Sequence, residues 1–125
     1  MDKAVRVLVH GTGFAGQGHA HAFRHVGAQI VGIVGRTESV VSGVAAKMAI
    51  PYAGTDWEAA LSDLAPDIVS IATPGGAHFD AITQAIHRGC HVFCDKPLSE
   101  ARFRAIEVLV RTRRADRFKP VALPA

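Results

Sequence analysis

The chain has 125 residues, of which 49% are hydrophobic and 20% are charged, and its formal net charge is +3. This length and composition predict one folded domain with a hydrophobic core and exclude a mainly disordered chain. No apolar run is long enough to span a membrane, and the first residues lack the apolar segment of a signal peptide, so we expect a cytoplasmic location. Residues 101–125 carry seven Lys or Arg against two acidic residues. Because aromatic residues do not interleave with these charges, they indicate a solvated helix face and not nucleic-acid binding.

The first predicted elements surround a glycine motif. An apolar strand over Val5–Val9 precedes Gly11, Gly13 and Gly16, which have the spacing G-x-G-x-x-G, and a helix is predicted over Phe14–Val26. The first glycine permits a tight turn, the second lets a pyrophosphate approach the backbone, and the third lets the helix lie close to the strand. The free N–H groups at the helix N-terminus would face the phosphates. This stretch therefore predicts a phosphate-binding loop.

The remaining chain continues to alternate strands and helices. This alternation predicts an α/β fold with a doubly wound parallel sheet, strand order 3-2-1-4-5-6, in a single domain over residues 1–125. Ligands of such a sheet bind at the carboxyl ends of the first and fourth strands. The further predicted elements are a strand over Gln29–Gly35, a helix over Glu38–Ala49, a short strand within Pro51–Gly54, a helix over Asp56–Leu61 capped by Thr55 with Glu58 completing a capping box, a strand over Asp67–Ala72, a helix over Ala77–Arg88, a strand over His91–Cys94, a helix from Ser99 to about Arg114, and a short strand over Val121–Leu123.

The cysteine and histidine residues predict neither a disulfide nor a metal site. Cys90 and Cys94 fall on one apolar run, and on a strand their Cα atoms would lie about 13 Å apart, whereas a disulfide needs less than about 7 Å. We therefore expect two free thiols. His19, His21 and His25 share one predicted helix, but no carboxylate ligand lies near them in the sequence, so we predict structural or exposed histidines.

Three motifs, in this order, resemble one family of enzymes. They are G-T-G-F-A-G-Q-G-H over Gly11–His19, I-A-T-P-G-G-A-H over Ile71–His78, and H-V-F-C-D-K-P-L over His91–Leu98. Together they resemble the N-terminal NAD(P)-binding domain of the glucose–fructose oxidoreductase, inositol dehydrogenase and MocA family. That resemblance implies a Rossmann fold and an NAD(P)-dependent oxidoreductase acting on sugars or polyols.

The resemblance also implies a set of site residues. In the family the glycine loop binds the pyrophosphate, the T-P-x-x-x-H segment passes beside the cofactor, and a Glu-Lys-Pro segment lies by the nicotinamide ribose with its lysine near the reaction centre. Lys96 is therefore the expected catalytic residue. The expected cofactor-binding residues of these segments are Gly11, Gly13, Phe14, Ala15, Gly16, Thr73, Pro74, His78, Asp95, Lys96 and Pro97.

The sequence departs from the family pattern at three places. Asp95 stands where the family usually has Glu, and its side chain is shorter by one CH₂ group. Gly35 stands where an acid often ends the second strand. The 125 residues end where the family's second domain, which supplies the substrate pocket, would begin. We therefore expect this chain to bind a dinucleotide without turning over a sugar or polyol.

The end of the second strand predicts the choice of cofactor. An acid there accepts hydrogen bonds from the ribose hydroxyls of NAD and repels the additional phosphate of NADP. Gly35 removes that repulsion, Arg36 can pair with a phosphate, and Thr37 and Ser39 can add hydroxyl donors. Glu38 opposes this attraction, but a first-turn helix residue can face solvent. The sequence therefore favours NADP over NAD.

Two other classes of function are compatible with the sequence. One is a free-standing dinucleotide-binding regulatory module, although such modules typically keep the acid at the second strand. The other is an interaction protein that uses the basic C-terminal helix. That helix also carries an apolar face, for which we expect self-association, most simply a two-fold dimer. The residues expected at this face are Phe103, Ile106, Leu109, Val110 and the strand Val121–Leu123.

Overall fold

Five strands and four helices alternate along the part of the chain that the structure, a computed structural model, describes: residues 4–73 and 78–94. The helix and strand predicted beyond residue 94 lie outside the described residues. The elements are β1 (Arg6–His10), α1 (Phe14–His25), β2 (Gln29–Val34), α2 (Glu38–Met48), β3 (Ala53–Gly54), α3 (Trp57–Leu64), β4 (Ile68–Ile71), α4 (His78–His87) and β5 (His91–Cys94).

The strands form one parallel sheet in the order β3-β2-β1-β4-β5. β1 is central: Val9 lies opposite Ile33 of β2 on one side and opposite Ser70 of β4 on the other. A register shift occurs between Val7 and Leu8 in the pairing with β2. Since each crossover joins parallel strands, the carboxyl ends of β1, β2 and β4 meet at one edge. The predicted doubly wound fold and the order of its first five strands are confirmed.

Apolar side chains of the sheet form a core on each of its two faces. Leu8 contributes to the cluster beneath α3 and α4, while its neighbours Val7 and Val9 contribute to the cluster beneath α1 and α2. All three side chains are fully buried. A strand that is buried on both faces consists of a continuous apolar run, which is why apolar and polar residues do not alternate in β1.

The start of α3 differs from its prediction. Asp56, and not Thr55, is the N-cap residue, and its side chain accepts a hydrogen bond of 3.1 Å from the N–H of Ala59. The predicted capping box, which required Thr55 at the cap, is therefore wrong. A short carboxylate and a hydroxyl are both good caps, so the sequence pattern alone does not decide between adjacent residues.

The ends of α2 and α3 are held by arginines from other elements. Arg24 of α1 donates to the carbonyl groups of Met48 and Ala49. Arg6 of β1 donates to the carbonyl group of Ala65 at 3.0 Å and to that of the residue before it. These bonds satisfy carbonyl groups that have no partner within the helix. They also explain why α3 continues to Leu64, beyond its predicted end at Leu61.

His10 ends β1 in contact with the indole ring of Trp57. The ring centroids are 4.5 Å apart and the rings are nearly perpendicular. The indole N–H of Trp57 donates to the carbonyl oxygen of Ala81 in α4. His10 therefore belongs to a packed aromatic contact between β1 and α3.

Candidate functional site

The glycine loop between β1 and α1 owes its shape to contacts with backbone atoms. Gly11 has a φ of +123°, and its N–H donates to the Val34 carbonyl oxygen at 2.8 Å. A Cβ atom on Gly11 would lie 2.8 Å from the carbonyl oxygen of Ala72, and one on Gly16 would lie only 2.0 Å from the carbonyl oxygen of Gly11. These distances are too short for any side chain at positions 11 or 16.

Gly13 has a different environment. A Cβ atom there would meet no heavy atom of the described residues within 4 Å. Gly13 is the N-cap of α1, no side chain caps it, and the first turn of α1 contains no acidic residue. The N-terminal N–H groups and the positive end of the helix dipole therefore face a site suited to an anion. The absence of a side chain at Gly13 leaves the backbone open to that anion.

A cleft of about 580 Å³ opens at this edge of the sheet. It extends from the glycine loop across the end of β2 to the end of β4, which are the places where the sequence predicts cofactor contacts. The lining residues are Gly11, Thr12, Gly13, Phe14, Ala15, Gly35, Arg36, Thr37, Val40, Ala72 and Thr73.

The wall formed by the end of β2 carries one positive charge. Gly35 is buried, and its N–H donates to the carbonyl oxygen of Gly54 at 3.1 Å. Arg36 and Thr37 are exposed and line the cleft. Glu38 is exposed in the first turn of α2 and is not among the residues that line the cleft. The charge at this wall is therefore favourable to a phosphate.

The structure brings eight of the predicted cofactor-binding residues to one cleft. Gly16 lies behind this surface, because it packs against the loop backbone. His78 is the first residue of α4. The predicted Pro74, Asp95, Lys96 and Pro97 lie outside the described residues. The eight that line the cleft are Gly11, Gly13, Phe14, Ala15, Gly35, Arg36, Thr37 and Thr73.

Three lining residues were not predicted from the sequence: Thr12, Val40 and Ala72. Thr12 lies between the first two glycines of the motif, so its position in the motif was an available signal. Ala72 immediately precedes Thr73 at the end of β4, where a lining residue is expected. Val40 is half exposed in the first turn of α2. Its role depends on how that helix faces the cleft, which the sequence pattern does not show.

His19 has a structural partner. Its Nδ1 atom lies 2.6 Å from the hydroxyl oxygen of Ser70, which is fully buried in β4. Its ring also packs edge-on against Phe93 of β5, with centroids 5.1 Å apart. These contacts attach α1 to the sheet. Within the described residues, no group of three or more His, Cys, Asp or Glu side chains is arranged to hold a metal ion.

Cys90 and Cys94 form no disulfide within the described residues, and Cys90 is buried. Burial raises the pKa of the Cys90 thiol to about 11; the Arg88 charge opposes this rise and Asp67 adds to it. The Cys90 thiol donates to the carbonyl oxygen of Pro66 at 3.4 Å. Since the thiolate is the reactive form, Cys90 is an unreactive core residue.

The fold and the cleft define a dinucleotide-binding Rossmann domain. The family described as "Oxidoreductase family, NAD-binding Rossmann fold" (GFO_IDH_MocA) matches residues 5–118. The chain belongs to this family. None of the helices in the described residues combines the length and apolar character needed to cross a bilayer.

Relatives of the chain include sugar and polyol dehydrogenases. The chain is 43% identical over 67 residues to D-xylose 1-dehydrogenase (NADP(+)) 2 of Haloferax volcanii, covering 54% of this chain and 21% of that protein. It is 30% identical over 119 residues to inositol 2-dehydrogenase of Pseudarthrobacter chlorophenolicus, covering 88% of this chain and 34% of that protein. The structure of GenD2 from gentamicin A biosynthesis, in complex with NAD, superposes with a TM-score of 0.81 at 28% identity, covering 90% of this chain and 33% of that one. The chain thus spans about a third or less of the proteins that it matches.

Proposed function

We propose that this chain is the cofactor-binding domain of an oxidoreductase acting on sugar- or polyol-type substrates, and that it binds NADP in preference to NAD. The observation that carries the preference is that a buried Gly35 is followed directly by an exposed Arg36 at the wall of the cleft. Position 35, where NAD sites hold a carboxylate, therefore has no side chain, and the next residue carries a guanidinium group.

The charge balance of this wall supports NADP. The 2′-phosphate of NADP adds negative charge at the adenosine ribose, and an arginine can bind it with two parallel hydrogen bonds. Such a charge-assisted pair contributes roughly 1.5–3 kcal/mol, which corresponds to about 10- to 100-fold in affinity. The name of the Haloferax volcanii relative includes NADP(+), so a related protein uses the cofactor that we propose for this chain.

The proposed reaction site follows β5 in the chain. β5 ends at Cys94, next in the chain to the segment in which the family resemblance places Asp95, Lys96 and Pro97. In the proposed enzyme Lys96 acts beside the nicotinamide, where a lysine can carry a proton. In the enzyme that contains this domain, Lys96→Ala is expected to abolish most turnover while dinucleotide binding persists.

The test of cofactor choice is calorimetric titration of the wild-type chain, Arg36→Ala and a control with NADP and with NAD. Arg88→Ala is the matched control, because Arg88 is an exposed arginine that does not line the cleft. We expect the wild type and the control to favour NADP, and Arg36→Ala to lose about 10- to 100-fold in NADP affinity with little change for NAD. Equal or tighter binding of NAD by the wild type would refute the proposal.

The two-fold dimer and the cytoplasmic location remain predictions. The face expected to mediate the dimer includes Phe103, Ile106 and Val110, all outside the described residues. Light scattering of the purified chain at high micromolar concentration measures its mass directly. A monomer under those conditions contradicts the dimer and leaves the proposed cofactor site unaffected.

A further inference from the structure

Gly35 is enclosed by two β-branched side chains. A Cβ atom on Gly35 would lie 2.6 Å from Cγ2 of Val41 and 2.7 Å from Cγ2 of Thr12. Val41 is 1% exposed in the core beneath α2, so it has little room to turn away. β-branched residues are also stiff about χ1. The space from which an acidic side chain would project is therefore already occupied, in part by Thr12.

The hydroxyl group of Thr12 is on the same side. Its Oγ1 atom would lie 3.3 Å from that Cβ atom, and Thr12 is a half-buried residue that lines the cleft. The Thr12 hydroxyl group therefore lies beside position 35, where many NAD sites carry a carboxylate. A carboxylate can only accept hydrogen bonds, whereas a hydroxyl can donate one to a phosphate oxygen.

The backbone of Thr12 is held by hydrogen bonds within the loop. The side-chain amide of Gln17, one turn into α1, donates to the Thr12 carbonyl oxygen at 2.9 Å. Gln17 also donates through its backbone N–H to the carbonyl oxygen of Gly13 at 3.0 Å. The backbone of Thr12 is therefore tied to the first turns of α1, so little backbone ordering is needed when a ligand binds at this residue.

We propose that Thr12 is a specificity-determining residue, whose hydroxyl donates a hydrogen bond to the 2′-phosphate of the adenosine ribose in the space beside Gly35. This inference rests on the proposed preference for NADP and adds a second determinant to Arg36. Arg36 supplies charge from the exposed side of the wall, and Thr12 supplies a directed donor from the inner side.

The experiment uses two small probes that contain only the adenosine end of the cofactor, adenosine 2′,5′-bisphosphate and AMP. Calorimetry compares the wild type, Thr12→Val, Thr12→Ser and Thr55→Val. Valine keeps the shape of threonine without the hydroxyl, and serine keeps the hydroxyl. Thr55 is an exposed threonine that does not line the cleft, so Thr55→Val is the matched control.

Thr12→Val should weaken binding of the bisphosphate about tenfold and leave AMP affinity unchanged, because it removes one hydrogen bond to a charged group. Thr12→Ser and Thr55→Val should behave like the wild type. An equal loss for both probes, or a serine variant as weak as the valine variant, overturns the role of Thr12. If thermal unfolding shows that Thr12→Val is not folded, Thr12→Ala replaces it with the same expected result.

The outcome for the wild type separates this inference from the proposed function. A wild type that binds both probes equally refutes the preference for NADP and the role of Thr12 with it. A wild type that favours the bisphosphate, combined with a Thr12→Val variant that keeps the full preference, refutes the role of Thr12 alone and leaves Arg36 as the determinant.

Discussion

The two walls of the cleft exclude side chains by different means. In the glycine loop, directly behind the surface of the cleft, a Cβ atom on Gly16 would meet the carbonyl oxygen of Gly11, which is part of the main chain. At the end of β2, a Cβ atom on Gly35 would meet the methyl groups of Thr12 and Val41, which are the ends of side chains. A carbonyl oxygen in a turn cannot move without changing the fold, whereas a methyl group can be removed by substitution.

This difference separates the part of the site that binds any dinucleotide from the part that selects one. The loop wall depends on backbone geometry and offers N–H groups to a pyrophosphate, which NAD and NADP share. The wall at β2 depends on side chains at positions 12, 35 and 36, near the group in which the two cofactors differ. We therefore expect substitutions in the first wall to affect the fold or all binding, and substitutions in the second to change selectivity.

The largest effect is expected for Gly16→Ala. A Cβ atom 2.0 Å from the carbonyl oxygen of Gly11 forces the loop apart, and we expect a loss of at least about 3 kcal/mol in the free energy of unfolding. Gly18→Ala is the control in the same helix, because its Cβ would meet nothing within 4 Å; it should gain roughly 0.5–1 kcal/mol. Urea unfolding measures both. Equal stability of the two variants would contradict the backbone origin of this wall.

Gly35→Asp should show the next largest effect. Displacement of the Thr12 and Val41 methyl groups should cost about 1–3 kcal/mol of stability, less than the change at Gly16. The added carboxylate should also repel the 2′-phosphate, so NADP affinity falls further than NAD affinity. Gly35→Ala carries the same Cβ without the charge and is the control for packing. If both variants lose the same NADP affinity, as measured by calorimetry, charge does not govern this wall.

Gly13→Ala should weaken binding at little cost in stability. Its Cβ has no neighbour within 4 Å and its φ of −75° is ordinary for alanine, so only the loss of a glycine N-cap, about 1 kcal/mol or less, should lower the free energy of unfolding. The methyl group would instead obstruct the pyrophosphate, and we expect about a tenfold or greater loss of affinity for both NAD and NADP. A variant that binds normally would show that the pyrophosphate does not approach the loop at this glycine.

The smallest effect is expected for Ala49→Gly, at the end of α2. Ala49 has a left-handed conformation, with φ of 56° and ψ of 47°, which glycine adopts more easily. We expect a gain of about 0.5–1 kcal/mol in the free energy of unfolding. Ala46→Gly, at an exposed position inside α2, should lose about 1 kcal/mol. Destabilisation by both changes would contradict a strained backbone at Ala49.

The sequence predicts the fold well because strand and loop signals are local. The glycines after β1 and the apolar run of β2 are each visible within a few residues, and the rules for parallel sheets convert their order into a topology. The same holds for the loop contacts of Gly11 and Gly16. Element ends are predicted less well, because they depend on distant partners: Arg6 of β1 donates to the last carbonyl groups of α3, 58 residues along the chain.

Thr12 was not predicted as a residue of the cleft for a similar reason. The glycine motif shows that position 12 lies on the loop, but its contact with Gly35 depends on how β1 and β2 pair. The N–H of Gly11 reaches the Val34 carbonyl oxygen through that pairing, and this bond places the two turns side by side. No pattern in the sequence specifies which turn residues then touch.

The central position of β1 also sets an order of events during synthesis of the chain from its N-terminus. β1 can pair with β2 as soon as residue 34 has left the ribosome. Its other edge can pair only after β4, Ile68–Ile71, has been synthesised. The bond from the Arg6 N–H to the Asp67 carboxylate closes a separation of 61 residues. During that interval the nascent chain carries an apolar strand with one unpaired edge. We expect this to be the period when the growing chain most needs protection from aggregation.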